Sequence, residues 1–430
     1  AGYALGWDVT GMKLVNVPNT GADQSADLAD TADPVKGAGK IGFDPDLTYP
    51  AGSVGPYVKT GYESVANLAA SFGSSLVGFM QSGTGAVHRT VQDKGRDIKD
   101  PRDYGLWDGT TTDLAAITAC ITATAEGGTV EIPDGDINLG TGLVIPKALT
   151  LKLGSGDYTA SANPVISWAV RGVHLEGSGA HQLSLATNII AATAAGNAIE
   201  ATGNTGYDFS SIRGLNVIGN ATADAGIYLQ GGAKGFVTCE DIWIADFTKA
   251  TGKCYHLAGI IAGIFTNCHA ADSHFGYYLT NSGATTSNLN QFYGCNTVSN
   301  EMNIYIGGGS HANEFHRCNI SNSVSSPAVW IEQGVGNTFN GCYFEANAAG
   351  TCVVQVGVSG GATSAHRTIV ESCYIVETKA ITSFMHVYSG YGCGAFRCKK
   401  ESANTITNLV YYDATYAQFG VCGFNGGNYP

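Results

Sequence analysis

Carboxylates recur through the second half of the chain, at Asp246, Asp272, Glu301, Glu345, Glu377 and Glu401, each a short way past a cysteine. Paired acids are the machinery of glycoside cleavage. Two carboxyl groups about 5–5.5 Å apart permit retention, and about 6.5–9.5 Å permit inversion. If the segments that carry these acids stack as strands, acids on adjacent layers lie about 5 Å apart and those two layers apart about 10 Å. Glu345 with Glu377, or Glu301 with Glu345, could then act as acid and base or nucleophile. The same acids also read as a solvated acidic turn. Elimination would need a His, Tyr or Lys base and a cation beside the substrate's carboxylate, and His256, His269 and Lys399 keep that route open.

A second set of residues could bind rather than react. Tyr228, His256, Tyr278, Tyr305, Trp330, Gln355, His386 and Tyr411 each sit between two apolar neighbours in a short alternating segment. Alternation places such residues on one outward face. Contiguous exposed rings mark an interaction surface. Aromatic faces with a polar edge suit sugar rings, and Tyr278, Tyr305, Trp330 and its neighbour Glu332 are the candidate sugar contacts. An interface between copies of the chain would be equally aromatic.

Both sets depend on a repeat. FTNC at Phe265–Cys268, FYGC at Phe292–Cys295, FHRC at Phe315–Cys318 and FNGC at Phe339–Cys342 follow FVTC at Phe236–Cys239. Looser copies end at Cys373, Cys398 and Cys422, giving steps of 29, 27, 23, 24, 31, 25 and 24. Such a period means stacked units. Short alternating runs separated by Gly, Asn and Ser predict two or three strands per unit, which is the rung of a parallel β-helix. The ladder cysteines are expected to face the interior as small apolar fillers. The residue after each (Glu240, His269, Asn296, Asn319, Tyr343, Tyr374, Lys399) should point outward. Asn220, Asn300, Asn322 and Asn347 should stack in the turns and satisfy backbone groups.

Composition narrows the function. The 430 residues carry a net charge of −13 and no basic patch, so nucleic acid is not an expected partner. No apolar run is long enough to span a membrane. The opening residues show no charged segment followed by an apolar run, so no signal peptide is expected and the chain reads as starting inside a longer one. None of the 12 cysteines forms a CxxC pair, so neither metal nor cofactor is expected. Free thiols in this number point to folding in a reducing cytoplasm.

In chain order, residues 1–60 are Gly- and Asp-rich and read as a small module. Glu63–Phe72 predicts a short helix, and Gly73–Asp97 a polar connector within 61–97. A helix over Leu114–Ala125, capped by Thr112 or Asp113 and stopped by Gly127-Gly128, should cover the open end of a β-helix spanning 98–430.

GSSLVGFMQSGTGAVHRTVQDKGRD (73–97), DYGLWDGTTTDLAAITA (103–119) and GGTVEIPDG (127–135) resemble the connector, cap and first rung of tailed-bacteriophage tailspikes. These belong to the pectate-lyase-like right-handed β-helix superfamily. ADPVKGAGKIGF (32–43) looks like the particle-proximal part of phage tail proteins. Tyr104-Gly105-Leu106 replaces the usual Phe-Gly-Ala, Trp107 the first Gly of the next turn, and Leu114 the second Asp of Thr-Asp-Asp. These motifs are structural and carry no catalytic residue across. The resemblance implies a homotrimeric tail component of the virion, made in the host cytoplasm and joined to the tail or baseplate through its N-terminal region. It would bind host capsular polysaccharide or O-antigen and depolymerise it, by hydrolysis rather than elimination. A non-catalytic receptor-binding or structural tail fibre protein is the alternative.

Overall fold

A computed structural model describes residues 98–105, 112–180, 186–202, 209–231, 236–359, 365–401 and 406–413, with the backbone of a few short strands elsewhere. Backbone proximity divides the chain into 1–97 and 98–430. In the first unit, Tyr3–Trp7 pairs antiparallel with Leu14–Pro18, and Gly78–Phe79 with Arg89–Thr90. The expected helix at Glu63–Phe72, the boundary at residue 60, the segment 32–43 and the last Cys phrase lie outside the described residues.

The second unit is an all-β parallel solenoid. Most of its strands collect into a twenty-stranded sheet and an eleven-stranded sheet, two short parallel pairs (Gly334–Val335 with Ala365–His366, Gly390–Tyr391 with Ala417–Gln418) lie outside them, and strands pair in parallel with their equivalents one rung away. Helix α1, Thr112–Ala123, precedes the first complete rung. It turns Ile117, Cys120 and Ile121 into the core that also holds Val130, Ile132 and Leu143. This covers strand ends that would otherwise be open to pairing.

The interior is a set of continuous side-chain columns. On one level of the first sheet Leu151, Leu175, Ile212, Cys239 and Phe265 lie opposite one another in turn, followed by Phe292, Phe315 and Phe339. The four Phe rings stack nearly parallel at 4.7, 4.3 and 4.8 Å. Three residues on is the cysteine level, where Ile242 faces Cys268.

The phrase at Phe236–Cys239 is therefore out of step with the later ones. Cys239 occupies the Phe level, Ile242 the Cys level, and Phe236 is 60% exposed at a corner. Trp243, not Glu240, faces His269 in the outward column. The eleven described cysteines are all buried and free. Burial drives the Cys239 and Cys268 thiols upward, away from the thiolate.

The residue just before each position of the cysteine level has a backbone reason. Gly214, Asp241, Asn267, Gly294, Arg317, Gly341, Ser372 and Arg397 all have φ between 50° and 65°, forming one left-handed column that bends the first sheet. Gly and Asn tolerate that conformation, whereas Arg does not. Arg317→Gly should relieve about 1–2 kcal/mol of strain against about 0.5–1 kcal/mol of added chain entropy. The variant is expected to unfold at a higher denaturant midpoint than wild type. A lower midpoint would contradict this reading of the column.

Candidate functional site

The second sheet presents the aromatic residues as one column. Tyr228, His256, Tyr278, Tyr305, Trp330, Gln355, His386 and Tyr411 pair in sequence from rung to rung. The strands alternate, so Tyr277, Ile304 and Ile331 fill the core while Tyr278, Tyr305 and Trp330 remain half-buried on the outside. Tyr278 and Tyr305 stack at 4.5 Å and 14°, and Trp330 meets Tyr305 edge-on at 5.4 Å. Phe275, three residues before Tyr278, packs on it at 4.8 Å and widens the platform.

An open cleft of about 380 Å³ runs beside these rings, lined by His274, Phe275, Tyr278, Glu301, Met302, Tyr305, Ser325 and Trp330. Glu301 and His274 stand on neighbouring rungs, because Met302 pairs with Phe275 and the Glu301 amide donates to Ser273 O. The Ser325 hydroxyl donates to Glu301 Oε2 at 2.5 Å. Burial lowers the basicity of His274, so its ring is mainly neutral at pH 7. On the far side of the rings, Tyr305 donates its hydroxyl to Glu332 Oε2, and the Trp330 indole N–H donates to Gly357 O at 3.3 Å. Burial, then the hydrogen bond to Glu332, raises the Tyr305 phenol, which stays a donor across the physiological range.

The predicted acids separate. Glu301 lines the cleft. Glu345 ends the first-sheet strand Tyr343–Glu345, opposite Ser321 and Val376, on the other side of the turn. Glu377 is fully buried. Its carboxylate accepts the Asn347 amide at 2.7 Å and the Asn347 side chain at 2.8 Å, and burial raises its pKa. Glu345 and Glu377 therefore do not form an exposed acid pair: one points out, and the other closes a polar ladder inside the turn. Glu301 and Glu345 are two rungs apart but occupy different positions in their rungs. Glu332 lies opposite residue 307, since Trp330 faces Tyr305. It is six residues (307 − 301) along the strand from Glu301, or about 20 Å.

Asp246 and Asp272 belong to a further left-handed column with Ser299, Asn322 and Ala346, φ 49–68°. Asp and Asn are common there for backbone reasons. Of the expected asparagine stack, Asn300 and Asn347 are buried and accept backbone N–H groups of Ser273 and Ser323. Asn220 closes its own turn, and Asn322 is one of the left-handed residues.

A stronger stack escaped the sequence reading. Asn290, Asn313 and Asn337 are fully buried, and each side-chain amide donates to the next at 2.8 and 3.0 Å. Its signal was present: each lies two residues before a ladder Phe. His274 and Phe275 were missed because only their register with Glu301 and Tyr278 puts them on the cleft.

His256 sits in the same column between Tyr228 at 4.7 Å and Tyr278 at 5.2 Å, and burial, then Lys253, pushes its pKa down to about 3. An unfolded His titrates near 6.5, so between these values the unfolded chain binds the extra proton. The stability contributed by the neutral ring is complete above about pH 6.5 and is lost as pH falls toward 3. The melting temperature of wild type should fall from pH 7 to pH 5 more steeply than that of His256→Gln. Parallel pH profiles would contradict this.

A tailspike variant of E. coli bacteriophage HK620, in complex with a pentasaccharide, aligns with TM-score 0.58 and 13% identity, over 84% of this chain and 71% of that one. The chain has the tailspike β-helix fold. Tailspike protein 3 of bacteriophage CBA120 aligns with TM-score 0.38 and 13% identity over 86% and 69% of the two chains. The A-module of the Azotobacter vinelandii mannuronan C-5 epimerase AlgE4 aligns with TM-score 0.47 and 14% identity over 76% and 100%. No protein-family model and no curated protein matches the sequence. Tailspike-type solenoids need only repeated rungs and a cap, so similarity of fold here coexists with little similarity of sequence.

Proposed function

We propose that the protein is a bacteriophage tailspike that binds host-surface polysaccharide, capsule or O-antigen, along the Tyr278–Tyr305–Trp330 column and shortens it by hydrolysis at Glu301. One observation carries the reading: a single cleft joins the aromatic column to Glu301. Ring faces cover the apolar faces of sugars, while Glu301, Ser325 and Glu332 offer hydrogen bonds to hydroxyls. Glu301 is the proton donor to the glycosidic oxygen as the C–O bond breaks. Water adds to the anomeric carbon and loses a proton to the neutral His274 ring; His274 then releases that proton to solvent, and solvent reprotonates Glu301. Homotrimer assembly, attachment to the tail through the N-terminal region, a place in the virion and synthesis in the host cytoplasm belong to the same proposal.

The test is incubation with host polysaccharides while polymer length is followed. Shortening by wild type, with binding weakened in Trp330→Ala, is the expected result. Binding and cleavage both unchanged in Trp330→Ala would overturn the site.

A second reading is a non-catalytic receptor-binding protein. It is favoured by the burial of Glu377 and the placement of Glu345 on the other sheet, which leave Glu301 as the one candidate acid among the cleft residues. Binding with no change in polymer length would select it.

A further inference from the structure

Lys253 is a half-buried basic residue at the start of the second-sheet strand Lys253–Ala258. Its position in the second sheet pairs with Phe275, and Phe275 with Met302, so it lies on the same outward line as two cleft residues. Its ammonium stands over the Tyr278 ring, 5.0 Å from the centroid. The stem is half-buried, and burial, more than any neighbouring charge, works against the protonated form. Two other charges face it, Asp224 and Lys249. Asp224 is already engaged: Lys249 forms an ion pair with one carboxylate oxygen, and the Gly196 amide donates to the other at 2.7 Å. The three groups together keep one positive charge in surplus. Lys253 donates to Thr251 O at 2.7 Å. An ammonium has three donors, so donors remain for a ligand.

A partly desolvated cation over an aromatic face, at the end of a sugar-sized cleft, is a recognition element for an anion. We infer that the polysaccharide bound on this column is acidic, and that Lys253 pairs with the carboxylate of a sugar lying two rungs from Glu301. Two rungs amount to about 10 Å. The carboxylate-bearing residue is therefore held away from the reacting linkage, and the overall negative charge of the protein is offset locally at the place where an anionic chain must enter. This inference rests on the binding column proposed above and names its substrate class.

The experiment is a binding panel with the whole chain, using polygalacturonate, alginate and hyaluronate, the carboxyl-reduced form of each, and dextran and pullulan as neutral polymers. Wild type should bind at least one carboxylate polymer about tenfold or more above its reduced form, the effect of one charged hydrogen bond. Lys253→Met should remove that preference and flatten the dependence on NaCl, whereas Lys253→Arg should keep most of it. Melting curves that match wild type show that the variants fold. Equal binding of native and reduced polymers, preference for the neutral ones, or an unchanged Lys253→Met would overturn the inference. Binding that survives Trp330→Ala would instead overturn the column itself, and a panel on which nothing binds counts against both.

Discussion

Glu301→Gln is expected to lower the rate of the proposed polysaccharide shortening by about 10²–10⁴-fold, the usual contribution of a positioned general acid, while affinity stays within a few-fold of wild type. The substitution keeps the size of the side chain and a carbonyl acceptor for Ser325, so the cleft keeps its shape. Rate and affinity should be separable, because the proposed mechanism gives binding to the rings and proton transfer to the carboxyl group. Glu345→Gln is expected to leave the rate unchanged, since that side chain projects from the first sheet. Glu377→Gln replaces an acceptor with a group that meets the Asn347 N–H donors with its own NH₂, so it should lower stability rather than rate. If Glu345→Gln abolished cleavage and Glu301→Gln did not, the reacting centre would move to the first sheet. Measurement of initial rates and affinities for the three variants separates these outcomes.

Phe315→Ala is expected to cost about 3–5 kcal/mol, the largest stability loss foreseen here. Phe315 is buried and sandwiched between Phe292 and Phe339, so truncation removes two stacked contacts as well as apolar area. The cavity has little chance to collapse, because the rungs on either side are fixed by parallel pairing. Cys318→Ala, one level along, removes a single sulfur atom and should cost far less. Denaturant unfolding of the two variants checks the contrast, and equal losses would contradict the picture of Phe as the structural spine.

The solenoid was legible because a stacked fold writes its geometry into the sequence as a period. The outward column Tyr228–Tyr411 could be read for the same reason: alternation fixes the face of every residue in a short strand. What could not be read was anything that depended on absolute register between rungs. Phe236–Cys239 matches the phrase by letters, yet sits three residues out of step, because residues Cys239 and Ile242 serve equally well at the Phe and Cys levels of the core. The acids failed in a related way. Glu345, Glu377 and Glu301 lie three, four and six residues past a cysteine, and the turn between the sheets changes direction at each residue. One acid ends a strand, one faces inward and one reaches the cleft. The small offsets that decide this are set by the left-handed turn residues, which the repeat alone does not locate.

Sugar is proposed to lie on the Tyr278–Tyr305–Trp330 column next to Glu301. The most direct test is a crystal structure of the protein with an oligosaccharide cut from a polymer that it binds. Sugar rings are expected against Tyr305 and Trp330, with a glycosidic oxygen within hydrogen-bond reach of Glu301. Sugar on the first sheet near Glu345, or an aromatic column buried between subunits, would contradict it.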